Sequence, residues 1–383
     1  MKIVQLATDN REHLKDYGNP VPFFGTAPAA LFQGFAQLPD VEVHIVSCTR
    51  VRMTSPEKIA PNIYFHSLLV PKRGWMTTLY QGTIRATRAK LREIQPDIVH
   101  GQGTERDCAI NAVCSGFKNV LTIHGNMRLI AKVNQAKPFS FLWLAARLER
   151  RIIPRSLGVV CITHYTQRAV SDLAKRTWVV PNGVEESFFG VQAEPPPGQP
   201  PQVLCVGNVC LRKNQNAFIR ALDPLAQKRK FRVLFLGETS RGRAYDDEFL
   251  QLVRERPGWC SYGGTADRQK LREHFRESSA LALPSLEDNC PMVVLEAMAS
   301  GVPVVAANVG GVPDLVQDAR TGLFCDPLDA GSIAGALEKV LANTSASREM
   351  AARARQEALE RFHPKAIARR HVEIYREVIG RRA

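Results

Sequence analysis

Apolar residues in this chain fall into short runs, and the runs alternate with stretches of helical spacing. In the first half KIVQLA, VEVHIVS, DIVHGQG, NVLTIHG and GVVCITH are β-branched and almost continuously apolar. Between several of them lie segments such as TTLYQGTIRATRAKLREI, residues 77–94, whose apolar positions recur at helical spacing. Strands without in/out alternation are buried on both faces, which predicts parallel sheets covered by helices. AEPPPGQPPQ, residues 193–202, has five prolines in ten residues and is predicted to be a linker or domain junction. Beyond it the alternation restarts with QVLCVGN, FRVLFLG, SALALPS, VPVVAAN and GLFCDP. The pattern predicts an α/β chain of two doubly wound domains joined near residue 190. Ligands of such sheets bind beyond the carboxyl ends of the strands, so the expected site lies in a cleft across which the two domains face each other. A basic, amphipathic last helix is expected from roughly Pro364 to Ile379, and no repeat of solenoid length is present.

Composition narrows the partners. The 383 residues are 45% hydrophobic and 23% charged, enough for two ordinary domains. No window holds the roughly 18 uninterrupted apolar residues of a membrane span. MKIVQLATDN reads as an opening strand rather than a signal peptide. The nine cysteines show no metal-ligand spacing and mostly sit in apolar runs, which points to a reducing cytoplasm. The net charge of +14 is uneven: residues 1–187 carry 24 Lys and Arg against 14 Asp and Glu, and the remainder 27 against 23. A basic half suggests an anionic partner, either a phosphorylated ligand or a membrane surface. Nucleic acid is not expected, because neither aromatic interleaving nor a reading motif accompanies the basic residues.

Two stretches carry candidate chemistry. VLCVGNVCLRKNQNAFIRAL reads as strand, turn and helix, with Gly207 at the turn and Arg212 and Lys213 beside the helix start. Helix N–H groups with adjacent cations form an anion site, although a solvated loop with chance charges has the same local look. In SLEDNCPMVVLEAMASGVPVV, Asn289 is expected as N-cap, Pro291 in the first turn and Gly301 as terminator, giving a short helix from about Pro291 to Ser300. Asp288 lies just before it and Glu296 in its second turn. A lone Glu is expected on the wet face of such a helix. The other possibility is that it accepts hydroxyl hydrogen bonds from a nucleotide-sugar whose phosphates meet the helix start.

The stretch PSLEDNCPMVVLEAMASGVPVVAANVGGVPDLVQDARTGLFCDP resembles the signature of the GT-B retaining glycosyltransferases of family 4 (glycosyl transferases group 1). That signature has an acid and a Glu separated by seven intervening residues, then EAMA-x-G-x-PVV and a GG-x-P-[DE] turn. The spacing selects Asp288 and Glu296, and Glu287 would fall one residue too far. VGNVCLRKN is similar to the family's G-R-x4-K segment, with Lys213 in place and Asn208 where Arg is usual. VVPNGVEESFF, PDIVHGQG, LTIHGNM and FFGTAPAALFQGF resemble its interdomain element, two histidine-bearing strand ends and flexible glycine loop.

The resemblance implies two Rossmann-like domains, an acceptor-binding domain over residues 1–190 and a nucleotide-sugar-binding domain over 191–363. A C-terminal helix, 364–383, would pack back on the first domain. It implies that Glu296 binds the ribose hydroxyls, Asp288 the donor sugar, and the backbone N–H groups around Asn289, Cys290, Pro291 and Met292 the sugar and diphosphate. Lys213, with Arg212, would neutralise the diphosphate; His124 would lie over the donor sugar and Gly25 would let the loop close. His100 reads as structural.

The implied activity is retaining transfer from a UDP-sugar, ahead of a GDP-sugar, to a hydroxyl of a glycan or lipid-linked acceptor in polysaccharide biosynthesis. No DxD is present, and neither metal nor other cofactor is expected. An inverting enzyme would instead need a base among Asp9, His13 and Asp16. A nucleotide-sugar epimerase or hydrolase on the same scaffold, and a non-catalytic binding subunit, stay open. FSFLWLAARLERRIIPRS, residues 139–156, combines aromatics and arginines; its place before GVVCITH favours a core-packing helix, with an interfacial helix at the inner membrane surface as the alternative.

Overall fold

A computed structural model of the protein describes residues 1–71, 76, 78–240 and 242–380. Thr77 and residues 381–383, at the ends of two expected helices, lie outside the described residues. The chain divides into two compact units, one of Met1–Gly183 with the segment from Pro364 onward, the other Val184–His363.

The first unit is built on eight strands: β1 (Lys2–Leu6), β2 (Glu42–Thr49), β3 (Lys58–Ala60), β4 (Ile63–Leu69), β5 (Ile98–Gln102), β6 (Asn119–Ile123), β7 (Val159–Cys161) and β8 (Thr177–Val179). Their order is β3-β4-β2-β1-β5-β6-β7-β8, and every pairing is parallel except β3 with β4. All five runs expected here are strands. β3, β4 and β8 are additional: His66 and Ser67 interrupt the apolar run of β4, and the other two are three residues long. Alternate residues of the central strands fill two cores, with Ile3, Ile45, Ile98 and Val120 on one face and Val4, Val46, Val99 and Leu121 on the other.

The terminal helix Pro364–Gly380 belongs to this unit and packs on the helix Thr26–Ala36. Gly34 makes that approach possible, since a Cβ there would stand 2.0 Å from the Pro364 carbonyl oxygen. The helix expected over 77–94 runs Gln81–Ile94, entered through Leu79 and Tyr80 at positive φ.

The second unit has six parallel strands: β9 (Gln202–Val206), β10 (Arg232–Leu236), β11 (Cys260–Tyr262), β12 (Ala280–Leu283), β13 (Val304–Ala307) and β14 (Leu323–Cys325). Their order is β11-β10-β9-β12-β13-β14, so the direction of winding reverses between β9 and β12. Only the three-residue β11 was not expected.

The division falls at Gly183/Val184 rather than at residue 190, because Val184–Val191 is held by the second unit. Val184 N–H donates to Phe362 O at 2.9 Å, and Arg355 donates to the carbonyls of Phe189 and Val191. The proline run is likewise not the junction. It lies on the second unit, with Ala193 and Glu194 N–H bonded to Ser300 O and Arg276 O.

Candidate functional site

The loops leaving β9 and β12 meet where the strand order of the second unit reverses. The chain leaves β9 at Gly207, makes a short 3-10 turn Leu211–Lys213, passes Asn214 at φ 61° and enters the helix Gln215–Lys228. Asn214 is fixed by its amide donating to Pro327 O at 2.9 Å. Gly207 leaves room for Lys213, whose Cε would lie 3.3 Å from a Cβ at that position. Lys213 Nζ donates to Asp288 Oδ2 at 2.5 Å, in the loop after β12. Arg212 Nη1 stands 3.4 Å from Asp288 Oδ1 and donates to Glu287 O at 2.8 Å. Leu286 N–H donates to Arg212 O at 2.8 Å, which pins the two loops together.

Asp288 is held from a third side. Its carbonyl accepts Gly311 N–H at 2.9 Å, and a Cβ on Gly310, at φ 56°, would stand 2.0 Å from the same oxygen. The GG-x-P turn is therefore a backbone cradle for the acidic loop.

The helix beginning after this loop runs Met292–Ala299, one residue shorter at each end than expected. Pro291, not Asn289, occupies the N-cap position, and this residue makes no side-chain bond to the helix. A proline has no N–H of its own to satisfy, which suits it to this position at a helix start. At the other end Gly301 adopts φ 69°, with Gly301 N–H to Met298 O and Val302 N–H to Ala297 O, the paired bonds of a Schellman motif.

Glu296 is 2% exposed, so it does not lie on a wet face: this helix is buried along its length. Its partner is Arg268, whose Nη1 donates to Glu296 Oε1 at 2.7 Å while its Nε lies 2.9 Å from Glu185 Oε1. Burial pushes the Glu296 carboxyl above its ordinary range, and the Arg268 charge opposes that shift. Arg268 and Glu185 were not expected from sequence.

His124 and Gly25 belong to the first unit. His124 follows β6, and Gln102, the last residue of β5, meets it: His124 Nε2 donates to Gln102 Oε1 at 3.0 Å. Gln102 Nε2 in turn donates to Gln5 Oε1 at 2.8 Å, and Gln5 Nε2 to Tyr375 Oη at 2.8 Å. Tyr375 meets His100 Nδ1 at 2.5 Å, and His100 Nε2 meets Thr122 Oγ1 at 2.7 Å. His100 is thus a structural histidine in a polar chain that ends on the terminal helix. Burial, reinforced by the nearby His371, pushes the His124 pKa down to about 4, so the ring is neutral.

Gly25 is the N-cap of the helix Thr26–Ala36 at φ −60°, and a Cβ there would meet nothing nearer than 3.8 Å. Among the described residues nothing requires glycine at this position. Asp9 forms a fully buried pair with Arg11, Nη2 to Oδ2 at 2.6 Å, and Arg11 also holds Asn19 O, Thr54 O and Ser55 Oγ. That commitment to structure removes Asp9 from the bases an inverting reaction would need.

Among the described residues no group of three or more His, Cys, Asp or Glu side chains is placed to hold a metal, and no helix is long and apolar enough to cross a membrane. None of the cysteines is paired.

Comparison with known proteins gives two adjoining matches: Glycosyltransferase Family 4 over residues 29–188 and Glycosyl transferases group 1 over residues 190–357. Glycogen synthase of Mycobacterium tuberculosis is 28% identical over 203 residues, 51% of this chain and 47% of that one. D-inositol 3-phosphate glycosyltransferase of Kineococcus radiotolerans is 28% identical over 267 residues, 61% of this chain and 60% of that protein. The chain thus spans about half the length of the curated relatives it matches. Sucrose-phosphate synthase of Thermosynechococcus elongatus shares the fold with a TM-score of 0.76 at 20% identity, covering 99% of both chains.

Proposed function

The chain belongs to the group 1, family 4 glycosyltransferases of GT-B fold, and from that premise we propose that it moves a sugar from a nucleotide-diphosphate sugar to a hydroxyl acceptor. The observation that carries the proposal is the convergence of Lys213, Arg212, Asp288 and a helix start at the switch point of the second sheet. Ligands of doubly wound sheets bind at that place.

Lys213 and Arg212 meet the diphosphate. The ammonium has three donors and Asp288 occupies one, so others remain for phosphate oxygens. The N–H groups of the helix start, around Asn289 to Met292, add the positive end of the helix dipole. Charge that develops on the departing diphosphate is stabilised by groups already in place, which is commonly the largest catalytic contribution. Asp288 turns its other oxygen to the donor sugar, Glu296 accepts ribose hydroxyls, and neutral His124 offers hydrogen bonding to the sugar without adding charge. Gly25 lets the loop before its helix close over the donor.

The donor is a UDP-sugar in preference to a GDP-sugar; an Anabaena protein of the same fold was solved in complex with UDP-glucose. The reaction retains anomeric configuration, and the acceptor is a glycan or lipid-linked hydroxyl. No metal takes part, because the cations and helix start do the work of one.

The test is acceptor-dependent release of nucleoside diphosphate with NMR analysis of the new linkage. Release that needs acceptor, a retained anomer and full activity in EDTA support the reading. Release without acceptor would make the protein a hydrolase or epimerase, and an inverted product would overturn the mechanism.

A further inference from the structure

Glu296 is the one charged side chain of the buried helix Met292–Ala299, and the guanidinium that meets it is itself held in place. Arg268 opens the helix Arg268–Glu277, whose start is fixed by Asp267 Oδ1 accepting Lys270 N–H at 2.8 Å. Its guanidinium lies 4.5 Å over the ring of Phe188, which is fully buried and packs edge-on against Phe275 at 6.0 Å. The Nε edge stands 2.9 Å from Glu185 Oε1, and Nη1 donates to Glu296 Oε1 at 2.7 Å. An aromatic face and two carboxylates thus fix one planar cation.

The bond to Glu296 engages Oε1 alone, and among the described residues no other group bonds this carboxylate. A guanidinium commonly grips a carboxylate through both oxygens. Here its other edge is turned to Glu185 instead, which leaves Glu296 Oε2 as an acceptor at the place where the ribose is proposed.

The two carboxylates also oppose each other. Burial and the charge of Glu185 favour the protonated form of Glu296, while Arg268, by charge and by hydrogen bond, favours the ionised form. The other cations around this helix have different partners. Arg355 donates to the carbonyls of Ala299, Val191 and Phe189, and Arg272 to Ser187 Oγ at 3.3 Å. Lys213 and Arg212 are engaged with Asp288 before the helix start. Among the described residues Arg268 is therefore the cation that keeps Glu296 an acceptor on both oxygens.

We infer that Arg268, steadied by Glu185, is a positioning residue for nucleotide binding: it holds the Glu296 carboxylate as an anion, turned so that Oε2 accepts ribose hydroxyls. The inference rests on the nucleotide-sugar reading of this site and extends it to two residues outside the motif that carries Glu296. An ion pair with a structural role alone would change stability and leave the recognition of ribose hydroxyls as it is.

Isothermal titration with UDP and with 2′,3′-dideoxy-UDP, which lacks both ribose hydroxyls, separates the two. The ratio of their Kd values reads the grip of Glu296 and cancels the titration of the phosphates. In the wild type the ratio is about tenfold or more, as charge-assisted bonds require, and the same at about pH 6 and about pH 8. Arg268→Met brings the ratio towards one, more completely at the lower pH, where Glu296 takes up a proton. Adding Glu185→Gln to Arg268→Met removes the opposing charge and raises the ratio at the lower pH. Arg268→Lys keeps the charge, so its ratio is smaller than in the wild type but independent of pH. Circular dichroism checks that each variant is folded; should Arg268→Met not fold, the lysine variant decides, and a ratio of about one in it overturns the inference. So does a wild-type ratio in Arg268→Met, or a ratio lost equally at both pH values in the methionine and lysine variants alike. A wild type that binds UDP and its dideoxy analogue equally also overturns the inference, with the donor site left standing. A wild type that binds no UDP overturns the donor-site reading and the inference with it.

Discussion

Glu296 is the residue on which the site turns. A buried carboxylate needs a partner, and the protein supplies Arg268. The proposed ribose would join that pair rather than replace a missing one. Loss of charge-assisted bonds to hydroxyls costs about 1.5–3 kcal/mol, so Glu296→Ala should raise the donor Kd roughly tenfold to a hundredfold. Asp288→Ala should leave nucleotide affinity nearly unchanged and impair transfer. Isothermal titration of both variants with nucleoside diphosphate decides, and equal loss in the two contradicts the assigned roles. Gly310→Ala places a Cβ 2.0 Å from the Asp288 carbonyl at a φ of 56°. It should cost on the order of 1–3 kcal/mol from backbone strain alone, measured by urea unfolding, and should impair transfer through Asp288. Asp288 was legible because its distance from Glu296 is fixed along the chain. Arg268 was not, because an ion pair between residues 28 apart leaves no local mark.

Among the elements, the terminal helix shows how the first unit is closed. It buries Ile367, Val372, Ile374 and Tyr375 on the sheet and sends Tyr375 into the polar chain that reaches His124 through Gln5 and Gln102. Tyr375→Phe removes the hydroxyl that accepts from Gln5 and meets His100, leaving buried polar groups without a partner. The expected cost is about 1–3 kcal/mol, read as a lower midpoint in urea, with the far-UV spectrum unchanged; an unaltered midpoint would make the chain incidental.

The longer parallel strands were readable because burial on both faces makes them continuously apolar. The short β8 and β11 carry too few residues for any period, and β4 is interrupted by His66 and Ser67. The proline run misled for a related reason. Proline excludes helix and central strand, but it does not say which unit's surface the chain then follows.

For the whole molecule, histidines that are buried or half-buried contribute to the response to acid. Burial pushes His66, His124 and His371 down to about 4 from an ordinary 6.5, and His100 well below it. The folded state keeps these rings neutral while the unfolded chain takes up protons. Their contribution is therefore intact above pH 6.5 and is lost as pH falls from 6.5 towards 4. The buried carboxyls of Glu105 and Glu149, raised by burial, act in the opposite sense as pH falls through their raised values. The difference between wild type and His371→Phe isolates one ring. The variant should lose less stability than the wild type over that range in parallel thermal melts, and identical slopes would remove His371 from the account.

The central claim is that the second unit binds a nucleotide-sugar at the switch point of its sheet. It is tested most directly by thermal melts with UDP-, GDP- and ADP-sugars at millimolar concentration. A ligand bound only by the native state at about a hundred times its Kd stabilises by about 2.7 kcal/mol. For a unit of this size that is a rise of roughly 5–10 °C. UDP-sugars are predicted to raise the transition most, and Glu296→Ala to cut the rise to about half or less. No shift with any of the three in the wild type would contradict the claim.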